Sequence, residues 1–249
     1  MPEMKLRILC PSKGRADRVM TTRFVPSLIL VVPHGEGSAY KEHNPNQEIL
    51  ETPKGLRGIT ATKQWFLETF DEWFSIDDDI MGIRMWYEPD IDEAWVTDPQ
   101  VIMDIILRVR NIAREMGAFM YGFSHKRRPV HYKSHQPFQF TGYMNSSHFG
   151  ILKGHKLWYN LEMDEAEDHW LSCLNAYVHR YFLIDTRYSF ITKDNFTADG
   201  GCNDYRTEES MKRNTLILRR TFGDSVVLKS AAPSKSRVQQ YERSIKIPY

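Results

Sequence analysis

Five consecutive apolar residues, Leu28 to Val32 in "SLILVVPHGEG", do most to limit what this chain can fold into. The run has no polar alternation, so neither face of an extended segment is built for water. It is too short for a membrane span and suits a strand covered on both sides, as in a parallel α/β sheet. Such a sheet needs further strands alternating with helices, and the flanking sequence supplies them. Leu6 to Cys10 is a second apolar strand, ended by Pro11, Ser12 and Gly14 in a loop carrying Lys13, Arg15 and Arg18. "HGEGSAYKEHNPNQ" reads as a loop or short helix, and "EILETP" as a short strand. "GITATKQWFLETF" reads as a helix and "EWFSI" as a fourth strand. "DPQVIMDIILRVRNIAREMG" is the clearest helix. Asp98 is its N-cap, Pro99 its first residue and Gly117 its end, with an apolar stripe from Val101 to Met116.

The expected fold class is therefore α/β, an open mixed sheet flanked by helices. In the second half, "AFMYGFSHKRRPVHY", "QPFQFTGYMNSSHFGILKG" and "LIDTRYSFIT" read as strands. "EMDEAEDHWLSCLNAYVHRYF" and "ESMKRNTLILRRTFG" read as helices, and "KDNFTADGGCNDYRTEES" as a polar loop. A single domain over residues 1–224, in halves 1–120 and 121–224, is followed by a partly ordered C-terminal tail, 225–249. No internal repeat is visible.

Lys plus Arg number 33 and Asp plus Glu 32, which excludes a strongly basic nucleic-acid coat but not a local basic patch. Three widely spaced cysteines without a CxxC indicate neither a disulfide framework nor a zinc site. The N-terminus lacks the pattern of a signal peptide, and no apolar stretch reaches spanning length. The expectation is a cytoplasmic protein with no membrane partner.

Chemistry gathers at four places. Asp77, Asp78 and Asp79 follow an apolar strand, and carboxylates that close repel unless a cation compensates them. Mg²⁺ or Mn²⁺, which take oxygen ligands, answer that need. Alternation along an extended chain would aim Asp77 and Asp79 one way and Asp78 another, leaving Asp78 the most tolerant of change. The cationic loop "PSKGR" is neither a P-loop nor a dinucleotide fingerprint. It would also sit beyond a strand's carboxyl end, where open α/β sheets bind ligands. Third, Glu167 and Asp168 open a helix. Acidic residues stabilise any first helical turn, but Glu167 projects into the apolar face, where a carboxylate must be paired or functional. Finally, Lys126, Arg127, Arg128 and Lys133 are interleaved with His125, His131, Tyr132, Phe138 and Phe140. That mixture suits a phosphate backbone and an unstacked base, and equally a charged loop beside the core.

"CPSKGR", "LILVVP", "GITATKQWFLE" and "FSIDDDI", in this order, resemble the nucleotide-sugar half of a GT-A glycosyltransferase. More narrowly, residues 5–205 resemble the TET-associated glycosyltransferases of phage and bacterial DNA-modification systems. The resemblance implies a GT-A-like sheet and transfer from a nucleotide-diphosphate sugar, UDP-sugar first. The implied acceptor is DNA carrying a hydroxymethylated pyrimidine such as hydroxymethylcytosine. A phage origin would place the protein in the bacterial host cytoplasm. By the same resemblance Pro11, Ser12, Arg15, Lys63 and Asp77 contact the donor, and Asp77 and Asp79 hold the metal. Asp168 serves as base, with Glu167 bracing the loop. A third protein ligand would come from Asn195, Asp199 or Asp204, or else water completes the shell. Rival readings are transfer to a glycan, lipid or protein, a sugar-nucleotidyltransferase, and a non-enzymatic binding domain, which leaves the aspartates unexplained.

Overall fold

The computed structural model describes residues 6–90, 92–126, 128–193, 207–228, 241 and 243–247. Four strands, β1 (Arg7–Pro11), β2 (Ile29–Val32), β3 (Glu48–Glu51) and β4 (Trp73–Ile76), form the parallel side of the main sheet. Between them lie α1 (Gly37–His43) and α2 (Ile59–Thr69). After the aspartates come β5 (Ile80–Met85), β6 (Trp95–Val96) and α3 (Pro99–Glu115). The second half supplies β7 (Met120–Phe123), β8 (Phe138–Gln139), β9 (His148–Ile151), α4 (Glu167–Val178), β10 (Leu183–Asp185), β11 (Tyr188–Thr192) and α5 (Glu208–Phe222).

The main sheet has eight strands in the order β3-β2-β1-β4-β9-β7-β10-β8. Strand β1 lies between β2 and β4, parallel to both, so the chain reverses its direction of winding there. Beyond β4 the sheet turns mixed: β9 runs antiparallel to β4 and β7, β10 is parallel to β7, and β8 is antiparallel to β10. This is the open mixed α/β sheet flanked by helices that the sequence predicts.

The apolar run behaves as its composition demands. Leu30 and Val32 join the core face that holds Ile8, Phe74 and the α3 residues Ile102 and Ile106. Ile29 and Val31 join the opposite face with Leu9, Trp73, Phe66 of α2 and Leu171 of α4. Each buried side chain of this size contributes about 1.5–3 kcal/mol. The helix α3 starts as read: Asp98 accepts hydrogen bonds from the backbone of Gln100 and Val101.

The strands after the aspartates differ from the sequence reading. "LIDTRYSFIT" is two strands, and its second strand, β11, joins β5 and β6 in a separate three-stranded sheet. The strands β5 and β6 lack the long apolar runs that mark the main sheet. In the tail expected to be partly ordered, β12 (Val226–Leu228) pairs antiparallel with β13 (Arg243–Ile245) among the described residues. No described helix is long and apolar enough to cross a membrane.

Candidate functional site

The reversal of winding at β1 opens a crevice at the carboxyl ends of β1 and β4, the place where such sheets bind ligands. The loop after β1 and the aspartates after β4 share this place. Asp77 to Asp79 form a turn rather than an extended segment. Alternation therefore does not apply to them, and all three line one cleft of about 1820 Å³.

The turn is held from several sides. Thr21, fully buried, donates its hydroxyl to the Asp77 carbonyl at 2.5 Å and accepts the Ile80 N–H at 2.9 Å. The Met20 N–H donates to the Asp78 carbonyl at 2.8 Å, and the Asp77 N–H to the Ser147 carbonyl at 2.9 Å. Asp78 does not point elsewhere, as alternation along a strand would require. Its carboxylate accepts a hydrogen bond from the Ser12 hydroxyl and pairs with the Arg15 guanidinium at 3.2 Å. Tyr40 of α1 completes this group: its hydroxyl shares a hydrogen bond with Ser12 Oγ at 2.7 Å and accepts the Arg15 N–H at 3.1 Å. Burial pushes the Tyr40 phenol up to about 12, so it remains protonated.

Asp77 carries the electrostatic tension. Burial pushes its carboxyl well above the usual carboxylate range. The Lys63 ammonium opposes that push, while Asp79, Asp78 and Glu167 add to it. Lys63 is 2% exposed. Its Nζ donates to Glu167 Oε1 at 3.1 Å and to the Ser146 carbonyl at 3.0 Å, over the Phe149 ring. Ser146 also donates its hydroxyl to Glu167 Oε1 at 2.9 Å. The sequence-predicted donor cation is thus locked as a strut between α2 and the start of α4.

Before α4, Ala166 adopts a left-handed φ of 64°, a strained conformation for a residue with a Cβ. The two acids that follow diverge: Glu167 turns to Lys63, and Asp168 turns to a second group. Asp168 Oδ2 accepts from the Tyr143 hydroxyl, and Oδ1 accepts the backbone N–H and ring Nδ1 of His169, each at 2.7 Å. Burial alone would raise the Asp168 carboxyl. His169, Tyr143 and Arg243 of β13 outweigh it and hold the group well below the usual carboxylate range.

Of the expected basic residues, Lys126 lines the cleft, while the exposed Arg128 and Lys133 are not on its wall. Arg127, Asn195, Asp199 and Asp204 lie outside the described residues. Beside Lys126, burial pushes the His125 ring down to about 4, which keeps it neutral. Pro11 also borders the cleft. Sequence reasoning missed Thr21, Tyr40, Tyr143, Ser146, His169 and Arg243. Only His169 left a trace, as the residue following the acidic pair; the others are brought in by chain distant in sequence.

Among the described residues, no set of three or more His, Cys, Asp or Glu side chains is arranged to hold a metal ion. Asp77 and Asp79, both on the cleft wall, offer carboxylate oxygens. Oxygen ligands beside a carboxyl under such charge strain fit a divalent cation that takes its other ligands from substrate or water.

A family model described as TET-Associated Glycosyltransferase matches residues 6–201. No protein with a curated description matches the chain. Among solved structures, the crystal structure of S. aureus TarS 1–349 is similar over 86% of this chain and 65% of that one. Its TM-score is 0.42 at 10% identity.

Proposed function

This chain belongs to the TET-associated glycosyltransferase family, and from that membership we propose that it moves a sugar from a nucleotide-diphosphate sugar to the hydroxyl of a hydroxymethylated pyrimidine in DNA. The observation that carries this reading is the shared cleft. One space of about 1820 Å³ holds the β1 loop, the aspartate turn and the Glu167–Asp168 pair. Pockets for a single small ligand run to roughly 300–1000 Å³, so this one has room for two substrates.

In this proposal Pro11, Ser12 and Arg15 border the nucleotide, with Tyr40 and Asp78 fixing the loop in place. Asp77 and Asp79 would hold a divalent cation, Mg²⁺ or Mn²⁺, which would supply positive charge for the leaving diphosphate. Lys63 and Glu167 brace the floor between donor and acceptor. The Asp168 centre receives the proton of the acceptor hydroxyl as that oxygen attacks the anomeric carbon. Lys126 lies on the cleft wall, where an acceptor strand's phosphate would approach, and Arg127, Arg128 and Lys133 continue that loop. A target base leaves the stack at a cost of a few kcal/mol.

The test incubates the protein with Mn²⁺, a panel of nucleotide sugars, and DNA with or without hydroxymethylpyrimidine, followed by nucleoside mass spectrometry. A hexose-sized mass gain confined to the modified base is expected. Transfer only to a glycan or protein hydroxyl would replace the acceptor, and no transfer from any donor would end the reading.

A further inference from the structure

The two oxygens of Asp168 are already engaged. The Tyr143 hydroxyl donates to Oδ2, and Oδ1 takes both the backbone N–H and the ring Nδ1 of His169. A carboxylate with three donors is well stabilised as an anion and correspondingly reluctant to take a proton. The same contacts define the imidazole beside it. An ionised carboxylate can only accept, so His169 Nδ1 must carry the hydrogen, and in the neutral ring Nε2 is then left with a lone pair. Nε2 has no hydrogen-bond partner among the described residues. It is not sealed in the core either: the side chain is 16% exposed, and His169 is part of the cleft wall. The Tyr143 ring packs against the imidazole at 4.9 Å between centroids, restricting its rotation.

The geometry points to His169 as the catalytic base, with Nε2 taking the acceptor's proton and Asp168 acting as a positioning residue through Nδ1. This inference rests on the glycosyl-transfer reading and deepens it by reassigning the proton from the carboxylate to the imidazole. The step balances. The acceptor O–H bond breaks as its oxygen bonds to the anomeric carbon, and the proton goes to Nε2. The bond from that carbon to the diphosphate oxygen breaks, and its electron pair leaves with the nucleoside diphosphate. The resulting imidazolium sits against the Asp168 carboxylate, which stabilises it until the proton passes to water. Arg243 lies near enough to help keep Asp168 ionised throughout.

Two measurements on the full chain test it. In ¹⁵N-edited spectra at neutral pH, with His169→Gln for assignment, His169 should show a protonated Nδ1 and a bare Nε2. A proton on Nε2, alone or with Nδ1, overturns the assignment, and this readout does not depend on the acceptor's identity. In transfer assays His169→Ala should lower kcat by about 10²–10⁴-fold, the usual contribution of a general base, with KM for the nucleotide sugar little changed. Added imidazole should restore part of that loss in His169→Ala and none in Asp168→Asn. A His169→Ala enzyme within threefold of wild type makes Asp168 the base and refutes the inference, as does a loss that imidazole leaves untouched. If wild type acts on another hydroxyl instead of modified DNA, the acceptor reading fails while the same comparison, run on that hydroxyl, still decides the base.

Discussion

Lys63→Met is the substitution whose cost is most directly set by the structure. The Lys63 ammonium is 2% exposed and lies 3.1 Å from Glu167 Oε1, whose own side chain is 10% exposed. Asp77 also feels this charge, which opposes the upward push of burial on its carboxyl. Methionine can fill the path of the lysine side chain, with its thioether end toward the Phe149 ring over which the ammonium lay, so little packing is lost. What remains is Glu167 and Asp77 without their shared cation. Removing one partner of a buried pair costs about 3–5 kcal/mol, because the other charge stays buried. In a domain of this size each kcal/mol moves Tm by about 2–4 °C, so the expected loss is about 6–20 °C. Glu167→Gln should cost less. Lys63 would still face Asp77 and the Ser146 carbonyl, and the Ser146 hydroxyl could donate to the new amide oxygen. The double variant should be more stable than Lys63→Met alone. Urea unfolding at pH 7, followed by the fluorescence of the six tryptophans, measures all four proteins. A Lys63→Met loss below about 1 kcal/mol, or a Glu167→Gln loss as large as that of Lys63→Met, would show that the ion pair is not a strut.

Asp77→Asn should stabilise the metal-free protein at neutral pH. Burial raises the folded-state carboxyl, so the folded state holds the proton more tightly, and wild-type stability falls as pH rises from about 4 through the folded value. Urea melts in chelator from pH 4 to 8 should show the variant's advantage growing with pH; a wild type at least as stable at pH 7 would contradict this. Asp78→Asn removes the charge held by Ser12 and Arg15, and should cost about 1.5–3 kcal/mol and weaken nucleotide binding. Unchanged stability and calorimetric affinity would restore the tolerance that alternation suggests. A dedicated base on the acceptor side favours in-line attack, so the product anomer should be inverted relative to the donor; anomeric proton couplings showing retention would rule out that route.

The parallel half of the fold was legible because burial on both faces leaves a mark in composition. Leu28 to Val32 could form little else, and β1, α2, β4 and α3 followed from periodicity and caps. Strands β5 and β6 belong to a small sheet and carry no such uniform run. The strand pair in the tail was illegible for a related reason: each strand is three residues long and is fixed by pairing with the other. Alternation failed at the aspartates because it assumes extended backbone. The hydroxyl of Thr21, 56 residues upstream of Asp77, bonds both ends of the turn and so curls the segment.

The candidate site divides along the same line. Sequence can show which carboxylates are present, but not which cation or donor each one meets. Five acidic residues, Asp77 to Asp79 with Glu167 and Asp168, look equivalent as letters. Folding separates them by partner: Asp78 to Ser12 and Arg15, Glu167 to Lys63, Asp168 to Tyr143 and His169. Each of these pairings joins the carboxylate to groups set for it, and a carboxylate so satisfied is a poor ligand and a poor base. Asp77 differs, since burial and its neighbours penalise its charge more than Lys63 relieves it. A divalent cation stabilises most where negative charge is least compensated, so the aspartate turn gains most from a metal at Asp77. Asp168, with three donors on its carboxylate, gains most by staying ionised and orienting the imidazole beside it.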